Sequence, residues 1–91
     1  MAAESILITL VTIPNCEPCD VARDLVQVFK VANRSLDIEV KWIDGLDDAS
    51  AVVQSGATEH PTLILEVDGD ERLRLAGSLS SRKVLRRLLP V

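Results

Sequence analysis

Cys16 and Cys19, the only cysteines in this 91-residue chain, stand two residues apart in Cys16-Glu17-Pro18-Cys19. A thiol pair at that spacing either exchanges with disulfides, through a nucleophilic thiolate, or ligates a metal. A disulfide-stapled secreted fold would not need this pattern. The second informative cluster is His60-Pro61-Thr62. An X-Pro bond at the start of a buried strand is where a cis peptide can serve a tight turn. His60 is the only histidine. Alone it reads as a surface or packing residue; beside the cysteines it would be a cation able to stabilise the Cys16 thiolate. Cys16, Cys19 and His60 also make three donors of the kind zinc takes, a fourth having to come from a partner or a second chain.

Positioning these groups is the task of the elements around them. Ser5 to Ile13 is nearly continuous in Ile, Leu, Val and Thr, the pattern of a central strand buried on both faces, and Pro14 and Asn15 stop it. From Pro18 onward Ala22, Leu25, Phe29 and Ala32 recur at helical spacing, with Val21 and Val28 beside them, acids at the start, Lys30 near the end and Asn33 as the stop. Ile38 to Ile43 alternates as a strand, closed by Asp44-Gly45, and Asp47 to Ser55 is a short helix ended by Gly56. Thr62 to Val67 and Arg72 to Ala76 are joined by Asp68-Gly69, a two-residue hairpin signal. Gly77 leads into a last helix over Ser78 to Leu89, ended by Pro90. The order β-α-β-α-β-β-α is an α/β fold, a four-stranded mixed sheet covered by three helices, in a single domain over residues 1–91. Trp42 and Phe29, the only aromatics, both fall on apolar faces and read as core.

In this scheme the cysteines sit where the first strand hands over to the first helix, with Cys16 at the positive end of the helix dipole beside free backbone N–H groups. That placement lowers the Cys16 pKa below the free value of about 8.5 and makes Cys16 the attacking thiol. Cys19, one turn later, closes the disulfide from a more sheltered position. Pro18 in the first turn loses nothing by lacking an N–H and holds both sulfurs in one geometry. Glu17 and Asp20 oppose the thiolate by like charge.

The net charge of −4 argues against a nucleic-acid binder, which needs clustered cations. Arg82, Lys83, Arg86 and Arg87 near the C-terminus read as a solvated helix face or a patch for an acidic partner. The longest apolar stretch, Ile6 to Ile13, is far short of the roughly 20 residues of a membrane span. An acid stands near the N-terminus where a secretion signal carries Lys or Arg, so a cytoplasmic location is expected.

Taken together, the motifs resemble those of the thioredoxin family, in a trimmed form lacking its first strand and helix. Cys16-Glu17-Pro18-Cys19 resembles the family's Cys-Gly-Pro-Cys, Val40-Lys41-Trp42-Ile43-Asp44 its second-strand signature, and Gly56 with Pro61-Thr62-Leu63-Ile64-Leu65 the approach to its cis-proline. Asp68-Gly69 and Gly77 match its hairpin and final glycine. The resemblance implies a thioredoxin fold and a thiol–disulfide oxidoreductase that reduces protein disulfides without a cofactor, as a monomer served by a thioredoxin-reductase-like electron donor. It implies that Cys16 attacks, Cys19 resolves, a cis Pro61 packs against the pair, the backbone at His60 holds an extended substrate, and Gly77 borders the groove. Three positions depart from the family. Asn15 replaces a tryptophan, Leu10 a buried aspartate, and Glu17 a glycine; Lys41, matching the lysine near that aspartate, is then left a structural or solvent-facing role. Glutaredoxins share the short architecture, but their glutathione signature is absent around Gly77-Ser78. The alternatives on the same fold are a metal-binding module and a partner-binding domain whose thiols serve only regulation.

Overall fold

The computed structural model describes residues 5–57 and 59–77. Within them the chain forms β1 (Ser5–Thr12), α1 (Glu17–Ala32), β2 (Asp37–Asp44), α2 (Ala49–Ser55), β3 (Thr62–Val67) and β4 (Asp70–Ala76). The strands make one mixed sheet in the order β2-β1-β3-β4. β1 runs parallel to β2, with Thr12 opposite Asp44, and antiparallel to β3, with Val11 opposite Thr62; β4 returns antiparallel to β3. The expected four-stranded mixed sheet with a central first strand is therefore present. Two helices, not the expected three, belong to the described residues; the third, over Ser78 to Leu89, lies outside them. Neither helix is long and apolar enough to cross a membrane.

Strand alternation divides the sheet into two faces. Ile6, Ile8 and Leu10 of β1, with Leu63, Leu65 and Val67 of β3, turn toward α1 and meet Ala22, Leu25, Val26 and Phe29 there. These four helical residues follow the i, i+3, i+4, i+7 rule, so the buried stripe runs through Val26, and Val21, Val28 and Ala32 stay exposed. Each large side chain buried this way contributes about 1.5–3 kcal/mol relative to exposure. The opposite face, with Leu7, Thr9, Ile43 and Ile64, is partly covered by the short α2, which buries none of its own residues.

One core assignment is corrected. Phe29 is buried as expected, but Trp42 is 45% exposed. The β2 periodicity is right, since Trp42 shares a face with the half-buried Ile38 and Val40. β2 is an edge strand, however, so Trp42 has a neighbour, Leu10, on one side only. The hairpin starts earlier than the expected Arg72: Asp68 and Gly69 both take positive φ (52° and 88°), the two-residue turn that lets Val67 pair directly with Asp70.

Candidate functional site

Cys16 is the N-cap of α1, with extended backbone (φ −125°, ψ 105°). Its Sγ accepts a hydrogen bond from the Cys19 N–H at 3.2 Å, and its carbonyl accepts the Asp20 N–H at 3.1 Å. Sulfur thus takes the capping role usually filled by an oxygen, which aims a free N–H of the helix at the atom that would carry negative charge. Cys16 and Cys19 are joined as a disulfide, with Cα atoms 5.2 Å apart. Cys19 is completely buried and Cys16 only half-buried, the order of access expected from the sequence. Pro18 falls in the first turn, where its missing N–H has no partner to lose. Asn15 adopts φ 56° in the turn between β1 and α1, a left-handed conformation asparagine tolerates better than most residues.

Arg23 ties the helix to the sheet. Its guanidinium pairs with Asp20 and donates to Thr12 Oγ1 at 2.9 Å, joining the second turn of α1 to the end of β1. Asp20 therefore has a counter-ion, while Glu17 stands exposed in the first turn.

The His60–Pro61 peptide is cis, and Pro61 is buried. The β1–β3 register ends at Val11 and Thr62, so Pro61 continues to the level of Thr12, at the end of β1 from which the chain turns into the cysteine motif. The Thr62 hydroxyl donates to the Glu59 carbonyl, and the Gly77 N–H donates to the Pro61 carbonyl at 2.9 Å. Strand pairing thus brings Cys16, Cys19, Pro18, His60, Pro61 and Gly77 to one end of the sheet.

The His60 ring lies over Gly45, in the turn after β2, and its Nε2 is buried with no hydrogen-bond partner among the described residues. No three His, Cys, Asp or Glu side chains among those residues come together as a metal-ligand group, so the Cys16–Cys19–His60 set is not assembled. Leu10 is fully buried in the apolar layer under α1. Lys41 projects from the other face of the sheet, opposite Thr9 in the register, and is exposed, which favours the solvent-facing one of its two expected roles.

Sequence reasoning missed three features of this end of the molecule. The Asp20–Arg23 pair was legible from its i, i+3 spacing. The packing of His60 on Gly45, and the approach of the Glu59 carboxylate to Gly77, carry no local signal. A separate cavity of about 290 Å³ on the α2 side, lined in part by Lys41, Glu66, Glu71 and Arg74, contains none of the expected site residues. There Arg74 binds both Glu71 carboxylate oxygens, at 2.8 and 3.0 Å. This hydrogen bonding holds the Glu71 carboxyl below its ordinary pKa and raises that of Arg74.

No protein-family model matches the sequence, and no curated protein matches it. Solved structures do match. Trxlp of Edwardsiella tarda superposes with a TM-score of 0.82 at 20% identity, over 92% of this chain and 82% of that one. Oxidised mitochondrial thioredoxin 3 of Saccharomyces cerevisiae gives 0.79 at 16% identity, over 96% and 79%. Fasciola hepatica thioredoxin gives 0.76 at 19%, over 92% and 78%. With its strand order, the disulfide at the head of α1 and the cis bond before β3, the chain is similar to these thioredoxins and has the thioredoxin fold.

Proposed function

We propose that the protein is a thiol–disulfide oxidoreductase that reduces disulfides in other proteins. The observation that carries this reading is the Cys16–Cys19 disulfide at the N-cap of α1, with the Cys19 N–H directed at Cys16 Sγ and Cys16 the more exposed of the two residues. In the dithiol form the same N–H and the helix terminus favour the Cys16 thiolate, which is the nucleophile. Cys16 attacks one sulfur of the substrate disulfide, forming a mixed disulfide and expelling the other substrate sulfur as a thiolate. Cys19, deprotonated, then attacks Cys16 Sγ and releases the second substrate thiol. Two electrons and two protons pass to the substrate, and the Cys16–Cys19 disulfide remains.

Return to the dithiol requires an external dithiol donor of the thioredoxin-reductase kind. The cis Pro61, the backbone at His60 and Gly77 form the ledge along which an extended substrate lies beside Cys16. This reading makes the chain a single-domain monomer working in the cytoplasm, where dithiols are kept reduced.

Trapping tests the reading. Cys19→Ser protein, reduced and exposed to disulfide-containing proteins, should accumulate mixed disulfides through Cys16, and Cys16→Ser should accumulate none. The wild type should accelerate insulin reduction by dithiothreitol. Absence of both trapping and reduction would overturn the assignment.

A further inference from the structure

The edge position of β2, beside the site, leaves a large aromatic side chain open to solvent. Trp42, the only tryptophan, is left 45% exposed on it. It lines an open groove of about 570 Å³ between α1 and β2, together with Thr12, Arg23, Asp24, Gln27, Ile43 and Asp44. The one cation in that lining, Arg23, is engaged by Asp20 and Thr12. Asp44 uses one carboxylate oxygen to accept the Leu46 and Asp47 N–H groups at 2.9 and 3.3 Å. Its second oxygen, and the exposed Asp24 carboxylate, make no hydrogen bond or ion pair among the described residues. An indole face beside two available carboxylates is a receptor for a guanidinium or ammonium group.

Resting on the oxidoreductase reading above, we propose that this groove docks a Lys or Arg side chain flanking the reactive cystine of the partner protein, and so selects cationic substrates. The spacing suits this. Thr12 and Asp44 end their strands at the level from which the chain turns to Cys16. Asp24 lies eight residues along α1 from Cys16, about 12 Å at 1.5 Å per residue. An extended peptide covers that span in about three or four residues. Among the described residues the surrounding charge has the same sign: Glu17, Asp47, Asp48 and Glu59 are exposed at this end of the sheet, against Arg23, already paired, and His60, packed on Gly45. A partner with acidic residues beside its cystine would meet repulsion.

The test compares reduction of three cystine peptides that differ only in two residues placed three and four positions from a cysteine: Arg-Arg, Ala-Ala or Glu-Glu. At low salt the Arg peptide should react about tenfold faster than the Ala peptide and the Glu peptide slowest. The Arg:Ala ratio should fall to about two in 0.5 M salt, where charges are screened. It should fall similarly in Asp24→Asn/Asp44→Asn, where the new amide at position 44 keeps the turn-accepting oxygen, and in Trp42→Leu, each checked for folding by circular dichroism. Equal rates for the three peptides, or a preference that survives both variants, overturns the proposal. So does a concentration-dependent dimer that buries Trp42.

A second readout separates the two readings. Titrating the oxidised wild type with a cysteine-free Arg peptide should shift Trp42 emission saturably. If that shift occurs while no peptide of any charge is reduced, the groove stands and the oxidoreductase assignment fails. If all peptides are reduced alike and Trp42 does not respond, the groove fails and the assignment stands.

Discussion

His60 Nε2 occupies the space that a side chain at Gly45 would need: a Cβ there would stand 2.5 Å from Nε2, 3.0 Å from Cδ2 and 3.1 Å from Ile13 Cγ2. The turn after β2, itself joined to β1 by the Gly45 N–H and the Thr12 carbonyl at 2.7 Å, is thereby packed against the residue that precedes the cis Pro61. Two segments distant in sequence hold each other at the end of the sheet that carries the cysteines.

Gly45→Ala is expected to push the His60 ring away and destabilise the fold by about 1–3 kcal/mol, the usual cost of overpacking. Urea unfolding would measure this. Insulin reduction should slow severalfold, because His60 leads into Pro61. Gly45→Ala/His60→Ala should recover more than half of the lost stability, since the clash needs both side chains; full additivity of the two single changes would show that the contact is energetically empty.

At Gly77 two costs can be separated. Its φ is +82°, and a Cβ would stand 2.6 Å from Glu59 Oε2. Gly77→Ala should cost about 1–2 kcal/mol for the left-handed backbone alone, plus whatever the displacement of Glu59 adds. Glu59→Ala in the same background should return only that second part. A double variant as stable as Glu59→Ala alone would mean that Gly77 is not conformationally required.

Acid should erase the contribution of the Glu71–Arg74 pair. Folding lowers the Glu71 pKa below its ordinary 4.5, chiefly through the hydrogen bonds from Arg74. The contribution is therefore present above the unfolded value and lost as pH falls through the lowered folded one. Glu71→Gln should shift the urea midpoint slightly downward at neutral pH, the pair being exposed and solvent-screened. Wild type and variant should converge once the pH has fallen far enough to protonate Glu71 in the folded protein, and a gap that persists in that acid limit would assign the effect to something other than the ion pair.

Much of the candidate site was legible because its chemistry is local. The helix that presents Cys16 and Cys19 announces itself through Pro18, the early acids and the Ala22, Leu25, Phe29 spacing, and an N-cap needs only its own first turn to place a sulfur against an N–H. The ends of α1 at Asn33 and of α2 at Gly56 were equally local, as was the Asp68-Gly69 turn. Periodicity likewise identified β1 as a strand buried on both faces, and four strands in this order leave few ways to pair.

The exposure of Trp42, the packing of His60 on Gly45, the placement of Glu59 over Gly77 and the bridge from Arg23 to Thr12 were decided only by the tertiary structure. Alternation tells which face of β2 Trp42 occupies, but not that β2 lies at the edge, where one side has no neighbouring strand to cover an indole. The other three are contacts between residues far apart in sequence, two made by side chains against turn glycines and one by a helix side chain against the end of β1, that the tertiary arrangement brings to one end of the sheet. No residue's propensity encodes such a meeting, because its energy exists only after β1, β2, β3 and β4 have aligned their ends.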